Sequence, residues 1–262
     1  MARKKLNEKE IIKEKNLVLL LGKTKCFLIR VEKGKRLNTD EGLIDINEII
    51  GKKYGDIIKT HKNISFVLVK PSIIDFLNKK ARMMPQAIRP KDSALILAFT
   101  GLKDDAHIVE GGLGSGWLTL FLASYCQKGK IYSYEIRKDF LNNAKNNILE
   151  SGLKNIVIKN KDITKGIDEK NVDAVILDMK NAEKVVKHAY KALKFGGWLI
   201  VFSPYIEQVK AINEEIKKYS FTQVFTVENI LRYWDVREHT LPKRQGLLHT
   251  GFLTFARKTI KN

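Results

Sequence analysis

Two textures of apolar and polar positions divide this chain. Over the first seventy residues the apolar runs are short and closely spaced, at 17–21, 26–31, 43–46, 56–59 and 64–69. Turn-like pieces such as Gly22-Lys23-Thr24 and Glu32-Lys33-Gly34-Lys35 separate them. This spacing predicts a small antiparallel β domain over residues 1–70. A segment over 71–90 follows, in which Pro71-Ser72 opens a helix to about residue 80 with Ser72 as N-cap. Beyond it the pattern alternates. Helices are predicted at 92–101, 115–127, 138–151, 182–193 and 205–219. Strands are predicted at 108–110, 131–134, 156–159, 172–177 and 198–202, with two late strands at 221–230 and 248–256. Such alternation builds an α/β domain over 91–262, a mostly parallel sheet covered by helices on both faces. The two late strands predict an antiparallel hairpin closing one sheet edge.

The densest chemical signal lies where the first parallel strand ends. Glu110 is followed by Gly111-Gly112-Leu113-Gly114-Ser115-Gly116 and then by an apolar helix. A glycine turn of this kind lets backbone approach a nucleoside, because no Cβ holds it off. The next strand ends in Glu135, 23 residues after Gly112, where a carboxylate can accept hydrogen bonds from ribose hydroxyls. The spacing is G-x-G-x-G, and the third glycine position of a dinucleotide fingerprint is Trp117. A pyrophosphate needs an open helix N-terminus, whereas S-adenosylmethionine carries none. S-adenosylmethionine is therefore the expected cofactor, with a nicotinamide or another nucleotide as the alternative.

Charge adds a partner. The 262 residues hold 48 Lys and Arg against 29 Asp and Glu, a formal excess of +19. A polyanion exploits such an excess through steering and counterion release, so RNA or DNA is expected; a Lys-rich proteome is the competing explanation. The two cysteines offer neither metal spacing nor a disulfide framework, and the five histidines lack ligand spacing to one another, so no metal is expected. No 18-residue apolar span or signal peptide is seen, which places the expected location in the cytoplasm.

Further runs carry a family resemblance: Met84-Pro85-Gln86-Ala87-Ile88-Arg89-Pro90-Lys91-Asp92, Ser133-Tyr134-Glu135-Ile136-Arg137, Leu193-Lys194-Phe195-Gly196-Gly197-Trp198, Arg232-Tyr233-Trp234-Asp235-Val236 and His249-Thr250-Gly251-Phe252-Leu253. With the β-rich N-terminal part, the chain resembles the T-loop tRNA (adenine-N1)-methyltransferases. These are archaeal and bacterial homotetramers that make 1-methyladenosine at tRNA positions 57 and/or 58. The resemblance implies a class I S-adenosylmethionine-dependent methyltransferase domain (Rossmann-like) behind the small β domain, tRNA as substrate and a homotetramer. Residue by residue it implies that Gln86, Ala87 and Ile88 flank the methionine end of the cofactor. Leu113, Gly114, Ser115, Gly116 and Trp117 would form its floor, Glu135 would hold the ribose and Asp162 would contact the adenine amino group. Asp178, at the end of the fourth parallel strand, would be the catalytic residue and also border the cofactor. Arg89 stands where the family carries Tyr before Pro-Lys-Asp; a guanidinium can stack on a base or pair with phosphate, making it the expected RNA contact. After Asp178 the family's Leu-Pro-x-Pro-Trp type of segment is replaced by Met179-Lys180-Asn181-Ala182-Glu183. That departure keeps two alternatives open: a non-catalytic tRNA-binding relative, and a methyltransferase for another base or a small molecule. His249 is read as a structural hydrogen-bonder, and Tyr233 and Trp234 as packing residues.

Overall fold

The computed structural model describes residues 10–83, 88–244, 246 and 248–260. The chain divides into two compact units, residues 1–81 and 82–262.

In the first unit β1 (Leu17–Leu21), β2 (Cys26–Arg30), β5 (Ile57–Lys59) and β6 (Ser65–Val69) form an antiparallel sheet in the order β2-β1-β6-β5. A hairpin of β3 (Arg36–Thr39) and β4 (Gly42–Asp45) accompanies it. Val18, Leu20, Ile44, Ile49, Phe66 and Leu68 fill its core. The helix α1 (Ile73–Lys79) begins at Ser72 with a capping box, the Ser72 hydroxyl accepting from Asp75 N–H while Asp75 accepts from Ser72. It belongs to this first unit, so the boundary falls at 81/82.

The second unit carries α2 (Pro90–Thr100), β7 (His107–Gly111), α3 (Trp117–Tyr125), β8 (Lys130–Tyr134), α4 (Lys138–Ser151), β9 (Ile156–Lys159), β10 (Val172–Leu177), α5 (Val186–Ala192), β11 (Leu193–Ser203), α6 (Ile206–Ile216), β12 (Phe221–Glu228), the short ribbon β13 (Trp234–Asp235) with β14 (Leu241–Pro242), and β15 (Phe252–Lys258). Its seven-stranded sheet runs β12-β15-β11-β10-β7-β8-β9; the strands from β11 to β9 are parallel, and β15 lies antiparallel between β11 and β12. This is a Rossmann-like order, closed at one edge by the antiparallel pair.

Strand periodicity assigns the helices to faces. Ile108, Ile176, Trp198 and Ile200 share one face with Ile96 of α2 and Leu118 and Leu122 of α3. Their neighbours Val109, Val175, Leu177, Leu199 and Val201 share the other with Val186 and Ala189 of α5 and Ile212 of α6. Successive strand residues point to opposite faces, and both are covered, which is why these strands are apolar throughout. Chain order reverses between β7 and β10, and a crevice opens there at the strands' carboxyl ends, where such sheets bind ligands. Among the described residues no helix is long and apolar enough to cross a membrane.

Candidate functional site

Each parallel strand next to the reversal delivers one chemical group to the crevice. The turn after β7 supplies Gly112, Leu113, Gly114, Ser115 and Trp117; β8 leads to Glu135, β9 to Asp162, and β10 to Asp178. These groups line a cavity of about 600 Å³, together with Ile88, Glu110, Tyr134, Ile136, Arg137, Phe140, Lys161, Thr164 and the segment Met179, Lys180, Asn181, Lys184.

The glycines serve different ends. A Cβ on Gly112 would lie 2.0 Å from the Asp178 carbonyl oxygen, so its absence lets β7 and β10 close on each other. The Asp178 N–H donates to Gly111 O at 2.9 Å across the same gap. A Cβ on Gly114 would meet nothing within 4 Å, leaving its backbone open to a ligand. Gly116, with φ +77°, caps α3 beside Ala144 of α4; unlike the other expected floor residues, it does not line the cavity. Asn147 of α4 pins the turn by donating to Ser115 O at 2.9 Å.

Glu135 is fixed by backbone. One carboxylate oxygen accepts from Ile136 N–H and Arg137 N–H, both at 2.9 Å, and the other from Gly114 N–H at 3.2 Å. A carboxylate has about four acceptor sites, so binding two ribose hydroxyls requires at least one of these amides to let go. Asp162 caps the turn that follows it, accepting from Thr164 N–H at 3.0 Å and the Thr164 hydroxyl at 2.7 Å. Those bonds hold its carboxyl below the usual range, and all are made by one oxygen, leaving the other as an acceptor for an amine.

Glu110, buried, and Asp178, half-buried, form the acidic wall. Glu110 is 1% exposed and accepts from the hydroxyls of Thr119 on α3 and Ser133 on β8. Burial raises its carboxyl to about 7 against the pull of those hydroxyls. Asp178 is half-buried, and its side chain makes no hydrogen bond or ion pair among the described residues. Desolvation, and then the charge of Glu110, raise it to about 7 as well. Both groups bind a proton more tightly folded than unfolded, where carboxyls titrate near 4. The stability their protonation contributes is complete below about pH 4 and is lost as pH rises through about 7. Asp178→Asn keeps the shape and removes one ionisation. It should melt a few degrees above the wild type at pH 8 and together with it at pH 4, by scanning calorimetry; a lower melting point at pH 8 would contradict the desolvation assigned to this carboxylate.

Two further polar atoms, Ser115 Oγ and Trp117 Nε1, are buried without a hydrogen-bond partner among the described residues. Buried polar atoms of this kind call for a partner, and both residues line the cavity. With the open face of Gly114 and the acceptors Glu135 and Asp162, they fit a nucleoside-bearing cofactor.

Of the residues expected from sequence, the structure brings Ile88, Leu113, Gly114, Ser115, Trp117, Glu135, Asp162 and Asp178 to one cavity. Gln86 and Ala87 lie outside the described residues. Arg89 sits off the cavity wall, exposed, with its guanidinium 5.9 Å from the Trp117 ring centroid. The hydroxyls around Glu110 were missed by sequence reasoning. Their signal was a Thr and a Ser inside otherwise apolar, buried elements, where each must find a partner. The neighbouring motifs do structural work. Lys91 donates to Thr250 Oγ1 at 2.8 Å and pairs with Asp92, which is 1% exposed; Thr250 in turn donates to Asp92 at 2.9 Å. His249 bridges Glu228 and Pro204 O. These bonds hold residues 249–250 off the ladder, so β15 starts at Phe252 rather than at 248.

Residues 80–248 match the family described as tRNA methyltransferase complex GCD14 subunit. The chain is 34% identical to the tRNA (adenine(57)-N(1)/adenine(58)-N(1))-methyltransferase TrmI of Methanocaldococcus jannaschii, over 85% of this chain and 88% of that one. Among solved structures it is similar to a SAM-dependent O-methyltransferase from Thermotoga maritima, with a TM-score of 0.84 at 32% identity over 96% of both chains. It is also similar to the tRNA (m1A58) methyltransferase TrmI of Aquifex aeolicus, with a TM-score of 0.78 at 25% identity over 96% of this chain and all of that one.

Proposed function

Since the chain belongs to the family of tRNA methyltransferase complex GCD14 subunits, we propose that it is an enzyme that methylates N1 of an adenine in the T-loop of tRNA, at position 57, 58 or both, using S-adenosylmethionine. The observation that carries this reading is the half-buried Asp178 carboxylate, without a side-chain hydrogen-bond partner among the described residues, in the wall of a cavity that nucleoside-type acceptors also line.

S-adenosylmethionine, when bound, supplies an electrophilic methyl group. Leu113, Gly114, Ser115 and Trp117 would hold it, with Ile88, Gln86 and Ala87 at the methionine end, Glu135 at the ribose and Asp162 at the adenine amino group. N1 of neutral adenine already carries a lone pair, so no proton has to be removed before attack. The product base is a cation. Asp178, ionised, accepts a hydrogen bond from the adenine 6-amino group, which turns N1 into line and stabilises the growing positive charge. Removal from water makes that carboxylate a stronger electrostatic partner, and it also costs a proton near neutrality, so turnover should rise with pH through about 7. An adenine held in tertiary structure has to be turned out before its Watson–Crick edge is reachable.

Arg89, off the cavity wall with its guanidinium 5.9 Å from the centroid of the cavity-lining Trp117 ring, is the residue we assign to RNA. The reading includes a cytoplasmic homo-oligomer, a homotetramer by family resemblance. Its test uses labelled methyl counted into unmodified tRNA: wild type should incorporate label, and Arg89→Ala should lose about tenfold in kcat/KM for tRNA while cofactor affinity stays within a few-fold. Tight tRNA binding by wild type without any incorporation would instead support a non-catalytic subunit.

A further inference from the structure

Four lysines form a ridge that starts at the cavity and runs along the following helix. Lys180 and Lys184 line the cavity beside Asp178. Lys184 belongs to the short turn Ala182–Val185 that leads into α5, and Lys187 and Lys191 belong to α5 itself. The spacing of 184, 187 and 191 keeps these three on one helical face, and all four are exposed. The opposite face, with Ala182, Val185, Val186, Ala189 and Ala192, is buried against the sheet. The ridge side chains therefore project into solvent.

What marks this ridge is its position: it starts at the lining of the cavity and carries no counter-charge in contact with it among the described residues. None of the four lysines makes an ion pair among the described residues. Glu183 is the one carboxylate in the stretch 180–192 and pairs with none of them. On α6 and the turn after it, by contrast, Lys217 and Lys218 each hold a glutamate three residues away, at 2.6 Å. Other cations of the cavity lining are engaged, Lys161 with Asp168 at 2.7 Å, and Arg137 with Asp139 at 2.6 Å and over the Phe140 ring. Lys180 and Lys184, on the segment after Asp178, have no such partner among the described residues. An unpaired row of like charges costs stability by self-repulsion, and a polyanion lying along it removes that cost.

We propose that Lys180, Lys184, Lys187 and Lys191 form the track on which the phosphate backbone of the RNA lies as it leads the target nucleotide into the cavity past Asp178. The proposal rests on the tRNA reading above and adds the direction of approach. The α-helical rise of 1.5 Å per residue puts Lys184 and Lys191 roughly 10 Å apart along the axis, enough to engage more than one phosphate. In this chain the segment after Asp178 contributes lysines and Asn181 where the resembled family carries prolines and an aromatic.

The test is equilibrium binding of an unmodified tRNA transcript over a range of salt concentrations. The full-length protein is compared with Lys180→Gln/Lys184→Gln/Lys187→Gln/Lys191→Gln. The control, Lys128→Gln/Lys210→Gln/Lys217→Gln/Lys218→Gln, removes the same charge from exposed positions elsewhere. The ridge variant should bind tRNA at least about tenfold more weakly near physiological salt and lose about three units of log–log salt slope. Its melting temperature should equal or slightly exceed that of wild type, and Lys187→Gln/Lys191→Gln, which leaves the cavity lining intact, should keep S-adenosylmethionine affinity within about threefold, while the control keeps the wild-type slope within about one unit. A ridge variant with wild-type affinity and slope would overturn the track and leave the proposed reaction standing. Equal losses in ridge and control would overturn it in favour of net charge alone. A wild type that neither binds nor methylates tRNA would overturn the reading beneath it as well.

Discussion

Replacing Asp178 by Ala should reduce turnover on tRNA by about 100-fold or more, while S-adenosylmethionine affinity stays within a few-fold. The size follows from what the carboxylate would do: removing one preorganised group aimed at developing charge in a desolvated site costs on the order of 10²–10³ in rate. The site supports that reasoning. Asp178 has no side-chain hydrogen-bond partner among the described residues to retain it for structural reasons, and its partial burial raises its proton affinity. The loss should fall on kcat and kcat/KM together, because the interaction strengthens as N1 becomes cationic. Asp178→Asn separates positioning from charge: it can still accept one hydrogen bond but cannot neutralise the cation, so its activity should lie between those of Ala and wild type. Burst and steady-state kinetics on one tRNA transcript check both. A kcat within threefold of wild type for Asp178→Ala would remove this residue from the reaction.

Glu135→Ala should weaken S-adenosylmethionine by about 30- to 150-fold, read by calorimetry. A hydrogen-bonded carboxylate contact to a ribose is worth about 2–3 kcal/mol, and RT converts that to the stated range. A second contribution has the same sign. Glu135 holds the N–H groups of Gly114, Ile136 and Arg137, so its loss also loosens the turn on which the cofactor would rest. Glu135→Gln keeps acceptor capacity and should cost less than Ala. Because the contact would be the same before and during methyl transfer, kcat at saturating cofactor should change little, in contrast to Asp178. Unchanged affinity in a folded Glu135→Ala variant would move the cofactor away from the glycine turn.

Much of this arrangement could be read before the fold was known, for a physical reason. In a parallel sheet covered on both faces, strands are apolar to their ends, so an acid at a strand's carboxyl end stands out; Glu110, Glu135 and Asp178 were visible in this way. Helix α4 was found at its true bounds, Lys138–Ser151, because Gly152 with φ +76° stops it sharply. Long-range pairs were not legible. The hydroxyls on Glu110 come from residues 9 and 23 positions away on two other elements, and the atom that requires Gly112 to lack a Cβ belongs to Asp178. Local signals also failed where hydrophobic pattern is thin. β3, Arg36-Leu-Asn-Thr39, has a single apolar residue and pairs only because β4 folds back on it. The predicted helix at 182–193 begins instead as a 3-10 turn, with Asn181 left-handed at φ +58° before it. Tyr233 and Trp234, expected in core or subunit packing, are 55% and 52% exposed in the single chain beside or on the β13–β14 ribbon, which places them outside its core.

The central claim, methylation of adenine at N1 in tRNA, is tested most directly by digesting tRNA to nucleosides after reaction. An unmodified tRNA transcript is incubated with the protein and isotopically labelled S-adenosylmethionine, and its nucleosides are identified by mass spectrometry against standards. The account predicts label in 1-methyladenosine, located to the T-loop by fragment mapping and absent with Asp178→Ala. Label in any other nucleoside, or none in tRNA that the protein demonstrably binds, would contradict it.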